Sequence, residues 1–240
     1  ETLNLAIKNH QEGKTDIAQN LYNKILEIDP NHSQTLNNIG IIFTNLKNYQ
    51  KAKECFEQVI EINLNYADAH NNLGTIFLTL GENQKAKSCY EKAIEINPSY
   101  ADAHNNLGII FKELGDLQKA KECCEKAIEI NPNHIDALNN LGVIYKKLKK
   151  LQKAKECYEK AITINPNNTD ALNNLGNIFK ELGEIEKAKE CYEKAIEINP
   201  NQEKAYNNLG IIFTDLKENQ KAKECYEKAI EINPNYVDAY

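Results

Sequence analysis

The chain has 240 residues, of which 41% are hydrophobic and 27% are charged, and its formal net charge is −6 at pH 7. No stretch approaches the roughly 20 consecutive apolar residues of a membrane helix, so we expect a soluble protein with no membrane partner. All 29 cationic residues are lysines. An acidic chain without arginine is a poor match for the phosphates and base edges of nucleic acid, so we expect no nucleic-acid partner.

A 34-residue period runs through most of the chain and sets the predicted elements. Glycines recur at this spacing, and the residues around each glycine repeat with it. A unit of about 34 residues is two short helices and two turns, so the period by itself predicts a stack of helix pairs. The repeated glycines are Gly40, Gly74, Gly108, Gly142, Gly176 and Gly210.

In chain order, residues 1–32 are an incomplete first repeat, in which Ala6 takes the place of the glycine and Pro30 ends the second helix. Six full repeats follow, and residues 237–240 begin another. The sequence predicts one continuous solenoid over residues 1–240. The full repeats are 33–66, 67–100, 101–134, 135–168, 169–202 and 203–236.

Each repeat is predicted to hold a helix A and then a helix B, with positions counted from the first residue of the repeat. In helix A, positions 3, 7, 8, 10, 11 and 14 are small or apolar, which is the spacing of one helical face, and we expect them to pack inward. Gly81 at position 15 suits the left-handed turn that ends a helix, whereas Lys47 at that position adopts it at a cost. Asn-Pro pairs such as Asn97-Pro98 stop helix B.

These positions resemble the tetratricopeptide repeat over nearly all of the chain. The small residues at positions 8 and 20, the aromatic residue at position 11 and the proline at position 32 match that pattern. The resemblance implies an all-α fold, a right-handed superhelix of antiparallel helix pairs, with helix A of every repeat on the concave side.

Asparagine occupies position 6 of every full repeat, on the stripe of helix A that faces away from the inward-packing positions, and position 5, at the edge of that stripe. Asparagine is a poor choice for a solvated helix, but its uncharged amide matches the C=O and N–H groups of a peptide main chain. We therefore predict a groove that binds an extended peptide. The position-6 residues are Asn38, Asn72, Asn106, Asn140, Asn174 and Asn208.

The strings ADAHNNLG and KAKECYEKAIEINP resemble the superhelical repeat region of O-linked N-acetylglucosamine transferases and related bacterial repeat proteins. That resemblance implies that the position-6 asparagines bind extended peptide and that acids at position 2 read its side chains. Lys204 breaks the acidic series. The position-2 acids are Asp68, Asp102, Asp136 and Asp170.

Three alternatives remain open at this point. The asparagines could persist by descent among duplicated repeats without binding anything. The chain could self-associate through apolar ends that lack polar capping helices. It could also be the substrate-recognition arm of a glycosyltransferase whose catalytic domain lies outside it. A clamp for acidic chaperone tails is disfavoured, because the groove sites are asparagine, aspartate and aliphatic residues; Lys146 and Lys147 are the local exception, interpreted as a solvated turn.

No pattern indicates an enzyme, a cofactor or a metal site. Six cysteines are one repeated position, too far apart for disulfides, and are interpreted as half-buried filling residues in a reducing, cytoplasmic setting. His70 and His104 occupy position 4 and are expected to pack between helices with a polar tip. The repeated cysteines are Cys55, Cys89, Cys123, Cys157, Cys191 and Cys225.

Overall fold

The computed structural model describes residues 1–234, and the regular elements in that range are fourteen α-helices and no strand. Helices A and B alternate along the chain as the repeat pattern predicts. The start of another repeat at 237–240 lies outside the described residues. In chain order the helices are α1 (Thr2–Gln11), α2 (Thr15–Ile28), α3 (Ser33–Asn45), α4 (Tyr49–Ile62), α5 (Ala67–Thr79), α6 (Asn83–Ile96), α7 (Ala101–Glu113), α8 (Leu117–Ile130), α9 (Ile135–Lys147), α10 (Leu151–Ile164), α11 (Thr169–Glu181), α12 (Ile185–Ile198), α13 (Glu203–Asp215) and α14 (Asn219–Ile232).

The chain separates into two compact units, Glu1–Leu114 and Gly115–Tyr240. Within each unit every helix packs on the next along the chain, and the short turns make neighbours antiparallel. Helix A of one repeat also contacts helix A of the next, as in α3 with α5 and in α9 with α11, whereas consecutive B helices of the described range make no comparable contact. The A helices therefore lie on the inner side of each unit.

The small residue at position 8 allows helices A and B of one repeat to touch. A Cβ added to Gly176 would lie 2.5 Å from Tyr192 Cε1, and one added to Gly40 would lie 2.6 Å from Phe56 Cε1. Both aromatic residues stand at position 24 of helix B and are buried. The close approach of the two helices thus depends on a ring of helix B lying against bare backbone of helix A.

In five of the six full repeats the leucine at position 14 is exposed, in contrast to the expectation from helical spacing. Leu46 is 61% exposed and Leu182 is 40% exposed. Each of these leucines directly follows the last residue of helix A, where the chain is already turning away, so its side chain leaves the apolar face. Periodicity along a helix assigns faces correctly only where the helix continues.

Position 15 has a left-handed backbone in glycine and lysine alike. The φ angle is +77° at Gly81 and +79° at Gly183, and it is +57° at Lys47 and +62° at Lys217. The turn therefore has the same geometry in every case, and the lysines carry the steric cost that glycine avoids.

We expect Lys217→Gly to raise the free energy of unfolding by about 1 kcal/mol, because glycine relieves the left-handed strain at this turn. The reverse change, Gly183→Lys, lowers it by a similar amount. An added Cβ at Gly183 meets no atom within 4 Å, so the loss arises from the backbone alone. Urea denaturation followed by circular dichroism measures both changes. Equal stability of the two variants would contradict this account.

Candidate functional site

The position-6 asparagines lie on the A helices and are neither fully buried nor fully exposed. Asn72 and Asn174 are typical, since each is half-buried on the inner side of its unit. A row of amides on this side is what the peptide-groove prediction requires. The other half-buried members of the row are Asn38, Asn106, Asn140 and Asn208.

The position-5 asparagines are the acceptors of a ladder between repeats. Asn72 Nδ2 donates to Asn37 Oδ1 of the preceding repeat at 3.1 Å, and Asn106 Nδ2 donates to Asn71 Oδ1 at 3.1 Å. The two acceptor residues are 5% and 7% exposed, so position 5 is buried and does not lie at the groove edge as expected. One N–H group of these position-6 amides is therefore used to join neighbouring repeats.

The ladder is interrupted between Asn139 and Asn174. Asn139 Oδ1 is buried and has no hydrogen-bond partner within residues 1–234. The equivalent bond one repeat later is intact, because Asn208 Nδ2 donates to Asn173 Oδ1 at 2.9 Å. Among the described residues Asn174 has no hydrogen-bond partner, so its amide is uncommitted.

Two cavities open on the inner side, each bounded by the position-24 ring of one repeat and the position-6 asparagine of the next. The cavity in the first unit measures about 90 Å³, and the cavity in the second unit measures about 400 Å³. The first is lined by Ile41, Thr44, Phe56, Asn72 and Thr75. The second is lined by Val143, Lys146, Lys147, Lys149, Tyr158 and Asn174.

Tyrosines at position 24 reach through to this side from helix B, which sequence reasoning missed. Tyr90 Oη donates to Thr75 Oγ1 at 3.3 Å, and Tyr192 Oη donates to Asn177 Oδ1 at 2.8 Å. Burial raises the pKa of Tyr90 to about 12, so its hydroxyl stays protonated and acts as a donor at neutral pH. The sequence does carry a signal for this contact: in these repeats position 24 is tyrosine and position 9 is a polar residue, Thr75 or Asn177.

The ring at position 11 lies between two lysines. Lys53 and Lys85 Nζ are 5.7 and 5.3 Å from the centre of the Phe77 ring, and Lys155 Nζ is 5.3 Å from the centre of the Phe179 ring. One of these lysines belongs to the same repeat as the ring and the other to the preceding repeat. Some of the lysines thus join neighbouring repeats by cation–π contacts.

The position-2 acids lie exposed in the first turn of helix A. A carboxylate there is favoured by the positive end of the helix. Asp170 Oδ1 accepts a hydrogen bond from Gln202 Nε2 at 3.4 Å. Burial raises the pKa of the Tyr100 hydroxyl, and the negative charge of Asp68 raises it further. The side-chain-reading role of Asp68, Asp102, Asp136 and Asp170 stays a prediction.

The cysteines and histidines of the repeats have structural surroundings. Burial raises the pKa of the Cys55 and Cys191 thiols to about 11 and that of Cys157 to about 12, so these thiols are protonated at neutral pH. His70 is buried, with Nε2 3.0 Å from the Leu64 carbonyl oxygen. Within residues 1–234, no three His, Cys, Asp or Glu side chains gather as a metal site requires.

The sequence matches one family model over residues 2–238, that of the cilia and flagella-associated protein 70 C-terminal domain, a tetratricopeptide domain. The chain belongs to this family. No curated protein matches it closely enough to count as a relative.

Solved structures give the same fold. The Cut9–Hcn1 hetero-tetramer of the APC/C aligns with 98% of this chain and 46% of that chain, at 18% identity and a TM-score of 0.86. PilF from Pseudomonas aeruginosa aligns with 86% of this chain and 94% of that one, at 20% identity and a TM-score of 0.77. YrrB, described as a tetratricopeptide protein with an unusual peptide-binding site, aligns with 78% of this chain and 96% of its own, at 28% identity and a TM-score of 0.60.

The predicted fold class, an all-α tetratricopeptide solenoid, is thereby confirmed. The family and the fold identify the chain as a repeat scaffold of the kind used for protein–protein interaction. None of the helices in the described range has the length and apolar character of a membrane span.

Proposed function

We propose that the inner side of the A helices binds a polypeptide segment in extended conformation, through the amides of Asn38, Asn72, Asn106, Asn140, Asn174 and Asn208. The observation that carries the proposal is the half-burial of these side chains, three in each unit, on the side where the cavity of that unit opens. An amide held in this way offers both a donor and an acceptor without a charge, as a peptide main chain requires.

The ladder strengthens this proposal because it fixes the amides before any ligand arrives. Asn72 Nδ2 is held by Asn37 Oδ1, which orients the Asn72 carboxamide without using both of its N–H groups. Side chains that are already ordered lose less conformational entropy when a ligand binds. The 28% identical YrrB, whose description names a peptide-binding site, is a further reason to favour peptide over other ligands.

Affinity should increase with peptide length. Packed helices lie roughly 10 Å apart, which corresponds to about three extended residues at roughly 3.3 Å each. Each added repeat therefore contributes about one rung, and each backbone hydrogen bond stabilises the complex by about 0.5–1.5 kcal/mol. Binding is expected to be weak for short segments and to depend little on their side chains.

Titration of labelled, uncharged peptides by fluorescence anisotropy tests the proposal. Capped Gly/Ser/Thr peptides of about twelve residues are expected to bind roughly tenfold more tightly than peptides of about six, because they span more rungs. Asn174→Ala should weaken the longer peptide by roughly two- to tenfold, the value of one lost hydrogen bond. No gain with length would contradict the proposal.

The control for Asn174→Ala removes an amide of the same kind from helix B. Asn219 is exposed at the start of α14, a B helix outside the set of position-6 asparagines, so Asn219→Ala should leave peptide affinity unchanged. Equal weakening by both variants would mean that the amide row on the inner side is not the binding surface.

A further inference from the structure

The cavity beside α9 has a different chemistry from its counterpart in the first unit. Both cavities are lined at positions 9, 12 and 24 of one repeat and at position 6 of the next, but Lys146 takes the place of Thr44, and Tyr158 takes the place of Phe56. Three of the six residues around the larger cavity are lysines, whereas the smaller one has no charged residue in its lining. The second unit therefore has a cationic cavity at a place where the first unit has a neutral one.

Two of these lysines have no acidic partner within the described part of the chain. Lys146 Nζ is 3.0 Å from Glu181 Oε1, which offsets one of the three charges. Lys147 and Lys149 are exposed and form no ion pair with a described residue. In the next repeat, Glu184 at position 16 pairs with Lys187 at 2.5 Å, but position 16 of this repeat is another lysine. The local excess of positive charge is therefore not compensated within this repeat.

Two neutral donors at the same cavity also lack partners. Tyr158 is 1% exposed, and its hydroxyl has no hydrogen-bond partner among the described residues. Its counterpart Tyr192 donates to Asn177 at position 9, but position 9 of this repeat is Val143, which has no acceptor in its side chain. The Asn174 amide is likewise uncommitted because the ladder is interrupted at Asn139. Both side chains line the cavity, and neither donor has an acceptor in the described part of the chain, so both are available to a ligand that accepts hydrogen bonds.

We propose that this cavity binds an anionic side chain, a carboxylate or a phosphate, carried by the extended segment on the inner side of the second unit. Lys147 and Lys149 neutralise the anion, while Tyr158 Oη and Asn174 Nδ2 donate to its oxygens. The inference rests on the proposed function and adds one specificity-determining subsite to it. Charge-assisted hydrogen bonds of this kind are stronger than neutral ones, so the subsite sets the register of the bound segment.

Three capped peptides of about twelve residues test this inference in the intact chain, differing at one central residue that is glutamate, phosphoserine or glutamine. By fluorescence anisotropy at about 50 mM salt we expect the glutamate peptide to bind roughly three- to tenfold more tightly than the glutamine peptide. The phosphoserine peptide should bind more tightly still, because it carries a charge of about −1.5 to −2. Both preferences should be largely lost at about 500 mM salt.

Three variants locate the effect. Lys147→Gln with Lys149→Asn should abolish the preference for the anionic peptides and leave the affinity for the glutamine peptide unchanged; asparagine tolerates the φ of +59° at position 149. The matched control, Lys194→Gln with Lys217→Asn, removes the same charge elsewhere in the second unit and should retain the preference. Tyr158→Phe should reduce it, and the chain should still fold because Phe56 occupies the equivalent place.

The outcomes separate this inference from the proposed function. Equal affinity for the glutamate and glutamine peptides, together with a normal gain with peptide length, would overturn the anion subsite and leave the peptide groove standing. Loss of the preference in the Lys194 and Lys217 control would also overturn it, because net charge alone would then explain the effect. Absence of binding to all three peptides would overturn both proposals.

Discussion

Replacing Tyr192 with alanine is expected to lower the free energy of unfolding by about 3–5 kcal/mol, the range for removing a large aromatic side chain from a packed interior. The side chain is fully buried, and its ring lies where a Cβ on Gly176 would stand. Neither helix can fill the space left behind, because Gly176 has no side chain to move into it. The hydrogen bond from Tyr192 Oη to Asn177 Oδ1 is lost as well.

Urea denaturation followed by circular dichroism measures this loss, and two phenylalanine variants serve as its controls. Tyr192→Phe keeps the ring and removes the hydrogen bond, so it should cost about 1 kcal/mol. Tyr158→Phe removes a hydroxyl with no partner in the described structure and should leave stability nearly unchanged. If Tyr192→Ala were no worse than Tyr192→Phe, the ring would not be the contact that holds helices A and B together.

The second large effect is expected at the ladder between repeats. Asn72→Ala removes the donor that satisfies Asn37 Oδ1, and Asn37 is 5% exposed, so a buried acceptor is left without a partner. We expect the free energy of unfolding to fall by about 1–3 kcal/mol, the cost of such an orphaned group. The change acts between repeats, so it should also reduce the cooperativity of unfolding.

The same substitution at an interrupted rung is its matched control. Asn174→Ala removes a position-6 amide that satisfies no acceptor, because Asn139 Oδ1 already lacks a partner. Its stability should therefore change by only a few tenths of a kcal/mol, within the range of ordinary surface changes. Equal losses in the Asn72 and Asn174 variants would mean that the Asn37 to Asn72 hydrogen bond contributes nothing to stability.

Much of the candidate site could be predicted from the sequence, and its limits have a physical cause. The placement of Asn72 and its equivalents on the inner side follows from helical spacing, since 3.6 residues per turn fix which side chains share a face. Helical spacing does not predict that position 6 donates a hydrogen bond to position 5 of the preceding repeat. Whether an amide meets solvent or a neighbouring amide depends on the distance between repeats, which no pattern within one helix contains.

The cavity beside α9 could not be predicted from the pattern within one helix either. The sequence indicated that Lys146 and Lys147 were unusual, and they were interpreted as part of a solvated turn. The second element of the site is Tyr158, which approaches from helix B through the space that Gly142 leaves open. Residues from three helices and two repeats meet there, so the site arises only once the repeats have stacked.

By itself, the sequence determined the helix pairs, their period, the small residues that allow them to touch and the turns that end them. Those features depend on local backbone geometry and on side-chain size, which each residue carries wherever it lies. Only the tertiary structure decided that most position-14 leucines are exposed, that the asparagines at positions 5 and 6 form rungs, and that one rung is broken at Asn139. These depend on where a helix ends and on distances between side chains of different repeats, which are set when the helices pack.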